Sequence, residues 1–371
     1  MNKQVALGAV ALALVLAAGY AGLKAGGRGL PSWAWGSSVH ASGGEGVPEA
    51  FRKRPRVVAI VEFSSSAHAS QYLEGVKSEA ASLGLALEVM DARNDRKAMS
   101  DMLDNAVLQK VDGILISHGD PELLRKGAER AVARGIPIVS FDNELPFPDV
   151  TMMDQNDHKI AEIGLTRLMK DTGGKANIVH IWVPGFAPME KRMQTYTRMM
   201  AEAPGIHEVE RFGKATNNSS LQTEVQMTEV LKKHPKGTID AVWATWDEFA
   251  RGATAAIRKA GRSEIKVYGI DVANEDLAMI QDPESPWVAT VGCPAAAVGR
   301  VQVRILGYRI AGRSVPHYYS LEPVMVAREM LPLGRSETVT LETLHRFVPA
   351  FGDTTDFTEP WIMALKEKNK K

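Results

Sequence analysis

The sequence predicts an α/β protein of two doubly wound, parallel-sheet lobes with a cleft between them. Three observations predict it. At 371 residues the chain is long enough for two hydrophobic cores, because a single core stops growing near roughly 250–300 residues. Short β-rich runs alternate with segments of helical period from residue 57 to residue 310, the pattern of βαβ units and of parallel sheets covered on both faces. Two segments also rhyme. Ile136-Pro-Ile-Val-Ser-Phe-Asp142-Asn143 and Ile265-Lys-Val-Tyr-Gly-Ile-Asp271-Val272 each follow an Ala/Arg-rich helical stretch closing on glycine, and each ends on an aspartate, about one domain's length apart. Ligands meet open parallel sheets at the carboxyl ends of strands, so one acid per half suggests a cleft between two similar lobes.

Each element follows from local pattern. In the first half, strands are expected at Val57–Val61, Leu85–Met90, Gly113–Ile116 and Ile136–Phe141, with a short edge strand at Val150–Met153. Helices are expected at Tyr72–Leu83, Met99–Leu108 and Pro121–Ala133, the last with Asp120 as N-cap and Pro121 at the first helical position. The second half repeats the alternation. Its strands are Asn177–Trp182, Val209–Phe212, Ala241–Ala244, Lys266–Ile270 and Val288–Val291. Its helices are Ile160–Lys170, Glu190–Glu202, Ser220–Lys233, Asp247–Ala260, Glu275–Gln281 and Val298–Ile310. A (β/α)8 barrel is the competing arrangement, but the aspartate rhyme and the lack of an eightfold pattern favour two lobes.

Composition narrows the function. The chain is 45% hydrophobic and 24% charged, and its 44 Lys+Arg balance 44 Asp+Glu to a formal net charge of zero. That leaves no global electrostatic argument for nucleic acid as a partner. The basic run Arg52-Lys53-Arg54-Pro55-Arg56 reads as a solvated leader into the first strand. Residues 1–25 read as a secretory signal or membrane anchor: a short basic start, an uncharged apolar run from Val5 to Leu23, and small residues at Gly19-Tyr20-Ala21. Residues 26–50 read as a flexible lead rich in Gly, Ser and Ala. Cys293 is the single cysteine, so no internal disulfide forms, and no cysteine follows the signal to carry lipid. The Asn217-Asn218-Ser219 sequon then reads as a surface loop. There is no Walker loop, GxGxxG, HExxH or GxSxG in the chain. The expectation is therefore a binding protein without cofactor or metal, rather than an enzyme.

Four segments in order carry a family resemblance: Gly135-Ile-Pro-Ile-Val-Ser-Phe-Asp142, Met189-Glu-Lys-Arg192, Asp247-Glu-Phe-Ala-Arg-Gly252 and Val267-Tyr-Gly-Ile-Asp271. From about Arg56 to Met330 the chain resembles the type I periplasmic solute-binding proteins, especially their ribose-binding-like branch. The lactose-repressor relatives of that fold begin with a helix-turn-helix, whereas this chain begins with an export signal. The resemblance implies discontinuous lobes: 51–155 plus 294–325 for the first, 156–293 plus 326–334 for the second, with three crossing strands as hinge. The tail at 335–371, with Trp361 and a lysine-rich end, lies beyond the resemblance and reads as a strap across the lobes. The resemblance also implies a monomer that closes on a small ligand and docks on an ATP-binding-cassette permease in the inner membrane. The alternatives are a sensory module presenting its closed form to a chemoreceptor or kinase, and the same fold holding a larger amphipathic or lipid-like ligand.

Candidate ligand groups follow from the residues and the resemblance together. Asp142 and Asp271 accept hydroxyls from opposite lobes. Arg192 matches the family arginine that reaches a ring or hydroxyl oxygen. Asn143 stands where sugar-binding relatives often carry arginine, which disfavours an anionic sugar. Trp246 stands at a family asparagine position and offers a ring face. Cys293 stands where a glutamine often bonds ligand. In the loop after the first strand, Phe63 reads as the strand's end, leaving His68 as the only ring where the family usually places two aromatics. Trp182, Phe186, Met189 and Trp246 gather at strand ends of the second lobe, so the cleft keeps its acids and becomes less polar elsewhere. His118 and His158 read as solvated loop residues.

Overall fold

The computed structural model describes residues 46–145, 147–332 and 337–370; the expected signal or anchor, 1–25, and most of the lead lie outside the described residues. The first lobe is built from β1 (Arg56–Val61), α1 (Ala67–Ser82), β2 (Ala86–Asp91), α2 (Arg96–Leu108), β3 (Gly113–Ser117), α3 (Pro121–Ala133), β4 (Ile138–Phe141) and β5 (Val150–Asp154). The second follows with α4 (Asp157–Asp171), β6 (Ala176–Ile181), α5 (Ala187–Glu202), β7 (Ile206–Phe212), α6 (Ser219–Lys233), β8 (Ala241–Ala244), α7 (Asp247–Lys259), β9 (Lys266–Ile270), α8 (Asn274–Gln281) and β10 (Trp287–Gly292). The chain then returns to the first lobe with α9 (Ala295–Ile310) and β11 (Tyr318–Ser320), adds β12 (Val324–Ala327) to the second, and ends in α10 (Pro360–Asn369).

The first sheet has the order β11-β5-β4-β3-β1-β2 and is parallel throughout; the second has the order β12-β10-β9-β8-β6-β7, parallel except for β12 against β10. Each lobe thus repeats one winding, with its strand order reversing between β1 and β3 or between β6 and β8, the point where such sheets bind ligands. β4 and β9 are the fourth strands of their lobes, so the rhyme between Asp142 and Asp271 is a rhyme of position. Side chains buried on both sheet faces make two cores per lobe.

Local chemistry sets the helix starts. Ser66 Oγ accepts the Ala69 N–H at 3.1 Å, Asp95 accepts Ala98 N–H at 2.9 Å, and Asp120 accepts Glu122 N–H at 2.8 Å ahead of Pro121. α1 and α9 pack at backbone contact. A Cβ on Gly75 would lie 2.0 Å from the Ala296 carbonyl oxygen, and one on Gly299 would lie 2.3 Å from that of Tyr72. Buried Gln302 of α9 donates to the Ile116 and Val139 carbonyls at 2.9 Å, fixing the helix to β3 and β4.

Four boundaries differ from expectation. Val150–Asp154 is not an edge strand, because β11 pairs outside it. The second segment of the first lobe, expected to run to 325, gives way at Val324, where β12 pairs with β10. β7 begins at Ile206 rather than Val209. The lead, expected to run to 50, is already docked near its end: Glu49–Lys53 forms a 3-10 turn whose Phe51 is buried against Trp361 at 5.5 Å between ring centroids.

The tail touches both lobes. Val339, Leu344, Val348 and Phe351 join a core of the second lobe, whereas Trp361, Ile362 and Leu365 join a core of the first. Buried Arg304 of α9 pairs with Glu79 at 2.6 Å and donates to the Thr354 carbonyl at 2.7 Å, where the tail changes lobes. Trp361 is 1% exposed. Trp361→Ala should therefore destabilise the protein by about 3–5 kcal/mol in a denaturant titration, whereas a change under ~1 kcal/mol would mean the tail is not part of the first lobe's core.

Candidate functional site

The carboxyl ends of strands from both sheets face each other across a cavity of about 40 Å³. The loop after β1 brings Phe63, Ser66 and His68; His118 follows β3, Asp142 follows β4, and Gln155 lies just past β5. From the second lobe, Phe186, Pro188, Met189 and Arg192 follow β6, Trp246 follows β8, and Asp271 follows β9. Of the expected ligand groups, Asp142, Asp271, Arg192, Trp246 and His68 therefore meet at one place.

The two aspartates share an uncommon backbone. Asp142 has φ +49° and Asp271 φ +69°, a left-handed conformation seen in few non-glycine residues and most tolerated by Asp and Asn. It turns each side chain from the sheet edge into the cavity. Asp142 is 5% exposed and Asp271 6%. Neither Asp142 oxygen has a protein partner, nor has Asp271 Oδ1, Gln155 Oε1 or Asp157 Oδ2. His68 Nε2 is likewise without a partner.

Charges are arranged unevenly around these acids. Buried Arg192 pairs with buried Asp157 at 2.8 Å and donates to the Thr245 carbonyl at 2.6 Å. Burial opposes the Arg192 charge, but Asp157, Asp271 and Asp142 outweigh it and hold its pKa above the ordinary value. Burial, then the charges of Asp157 and Asp154, push Asp142 well above the carboxylate range. His118, whose Nε2 lies 3.8 Å from Asp142, is lowered to about 3 by burial and by His68, Arg192 and Arg96, and is neutral at pH 7. Contacts between the lobes flank the cavity: Lys191 reaches Asp154 at 2.9 Å and Glu144 at 3.0 Å, Arg96 donates to the Gly185 carbonyl at 3.1 Å, and Gln71 to that of Val272 at 3.4 Å.

Three expected ligand groups do not line the cavity. Asn143 turns its amide N–H groups to the His118 and Gly119 carbonyls at 2.8 and 2.9 Å, tying the loop after β3 to that after β4. The Trp182 indole N–H donates to the Met189 carbonyl at 2.9 Å and so positions the start of α5. Cys293 packs in the first lobe's core at the crossing beside the Gln155 carbonyl, and burial raises its thiol pKa. Phe63 corrects the reading of the first loop. β1 ends at Val61, and the Glu62 carboxylate is taken by the Gly119 N–H at 2.8 Å and by Arg96 at 2.6 Å, so Phe63 leaves the sheet and faces the cavity. His118 is a lining residue rather than a solvated one, whereas His158 contacts Thr195 at 3.0 Å. The signal for His118 and Gln155 was their place one or two residues past a strand.

Residues 57–314 match the periplasmic binding protein domain family. A sugar ABC transporter protein of Yersinia enterocolitica subsp. enterocolitica 8081 superposes with a TM-score of 0.83 at 33% identity, covering 87% of this chain and 98% of that one. A 5-methylthioribose transporter solute-binding protein of Thermotoga lettingae, in complex with 5-methylthioribose, gives 0.82 at 35% identity over 87% of this chain and 99% of its own. The ribose import binding protein of Bacillus subtilis is 26% identical over 250 residues, 65% of this chain and 77% of that protein.

Closing the lobes without ligand buries the Asp142 carboxylate unpaired, so its pKa is raised in the closed form relative to the open one. Closure then takes up a proton: it is favoured at low pH and lost as pH rises through the closed-form pKa. His118, whose pKa burial lowers to about 3, opposes closure on acidification by the same linkage, so the Asp142 contribution is the difference from Asp142→Asn. Interlobe fluorescence transfer in the ligand-free protein should show the parent's closed-to-open ratio rising relative to the variant's from pH 8 towards pH 4. In Asp142→Asn the closed form should already be enriched at pH 8. A flat or opposite profile would contradict this account of Asp142.

Proposed function

The chain belongs to the periplasmic binding protein family, and we propose that it is the substrate-binding subunit of an ATP-binding-cassette importer for a small neutral sugar or polyol. The observation that carries this reading is the pair of buried carboxylates, one per lobe, whose oxygens lack protein donors. The unpaired carboxylate oxygens at the cavity call for donors, so the complementary solute carries hydroxyl groups. A sugar phosphate or sugar acid fits poorly. It would face the Asp142 and Asp271 carboxylates, while Arg192 Nε and Nη1 are held by Asp157 and the Thr245 carbonyl. The sugar and ribose import relatives support the same class of ligand.

Capture follows from the geometry. With the lobes parted, water satisfies the acids. A polyol replaces that water on one lobe, and closing brings the second carboxylate to further hydroxyls in a drier site, where charge-assisted hydrogen bonds are about twice as strong as neutral ones. The ligand thereby selects the closed form, and the contacts of Lys191, Arg96 and Gln71 across the lobes form with it. The closed form is what the inner-membrane permease receives. The protein acts as an exported, periplasmic monomer; among the described residues no helix is long and apolar enough to cross a membrane.

Calorimetry against neutral pentoses, hexoses and polyols, with sugar phosphates as controls, tests this directly. A neutral polyhydroxylated compound is expected to bind, and Asp142→Ala and Asp271→Ala are each expected to weaken it by about 100-fold or more, as loss of two hydrogen bonds to a charged group implies. Parent-like affinity in both variants, or tighter binding of the phosphates, would sink the assignment.

A further inference from the structure

Resting on that reading, we propose that the cognate ligand is a sugar carrying an apolar substituent on its terminal carbon, and that the substituent lies in an aromatic throat made by Phe63, Phe186, Met189 and Trp246. The cavity is divided by chemistry. Asp142, Asp271, Arg192, Gln155 and His68 supply polar groups, whereas Phe63, Phe186, Pro188, Met189 and Trp246 supply an apolar wall. A sugar hydroxyl placed against that wall would lose its bonds to water without replacement, whereas an alkyl or alkylthio group would gain from burial.

The wall is also a passage. Phe63, Phe186 and Trp246 line both the inner cavity and an adjoining interlobe cleft of about 350 Å³, whose other walls include Ser65, Asn94, Arg96 and Asn217. The rings are braced rather than loose. Phe186 meets Trp246 edge-on at 6.2 Å, Trp246 meets Phe249 at 5.3 Å, and the Arg96 guanidinium covers Phe186 at 5.4 Å. All three throat rings remain partly exposed with the lobes closed, although Phe249 behind them is fully buried. The geometry therefore gives the ligand a polar end held deep between the acids and an apolar end directed outward, with room beyond it. The relative solved with 5-methylthioribose, matched over 99% of its length, fits this division. The adjoining cleft adds a property of its own: substituents longer than methylthio should be accepted.

Calorimetry with ribose, 5-methylthioribose and 5-butylthioribose tests the proposal. The methylthio sugar is expected to bind about tenfold or more tighter than ribose, from burial of its apolar group, and the butylthio sugar at least as tightly as the methylthio one. Trp246→Ala and, at a half-exposed position that does not endanger the core, Phe186→Ala should each cut the methylthio-to-ribose affinity ratio by about fivefold or more. Equal or tighter binding of ribose, or an unchanged ratio in both variants, would overturn the throat. Exclusion of the butylthio sugar would overturn the part given to the adjoining cleft. If only unsubstituted sugars bind, the throat falls while sugar capture stands; if no sugar binds, sugar capture falls and the throat with it.

Discussion

Two carboxylates buried between lobes without donors for their oxygens are the constraint on which the rest of this structure depends. An unpaired charge in a drying interface is strongly unfavourable, and a protein meets it by protonation, by a partner or by staying open. Among the described residues no cation is hydrogen-bonded to Asp142 or Asp271: Arg192, which feels both charges, is bonded to Asp157 and the Thr245 carbonyl. The neutral His118 beside Asp142 adds none. The cleft is thus built to be incomplete by itself, and closure is left to whatever solute brings hydroxyl donors.

The fold delivers those two acids by repetition. Each lobe winds its strands in the same order, and in each the fourth strand ends on an aspartate whose backbone turns left-handed. Behind Asp142, tight packing keeps the first lobe rigid: α9 lies at backbone contact with α1, and Gln302 locks it to two strands. Motion is therefore concentrated where the chain passes between the lobes, after β5, after β10 and between β11 and β12. The tail adds a further passage, anchored in one lobe by Phe351 and in the other by Trp361. It makes the lobes' relative movement a property of the whole chain rather than of the hinge alone.

Much of this was legible in the sequence, because the determining signals are local. Strand runs, helix period, Asp120 before Pro121 and an aspartate closing two equivalent strands need no knowledge of distant partners. What was not legible depends on those partners. Asn143 reads as a ligand group until His118 and Gly119 present their carbonyls to its amide, and Trp182 until Met189 does the same for its indole. Phe63 reads as strand because only the bonds of Glu62 to Gly119 and Arg96 show where β1 stops. The tail's placement rests on Phe51 and Tyr308, far away in sequence, which surround Trp361.

The most direct test of the central claim is a crystal structure of the protein with its bound solute. Hydroxyl oxygens of the ligand should lie about 2.5–3.0 Å from the Asp142 and Asp271 carboxylates, with the lobes closed over them. A ligand seated elsewhere, or a closed cleft in which both carboxylates are satisfied by protein groups alone, would contradict it.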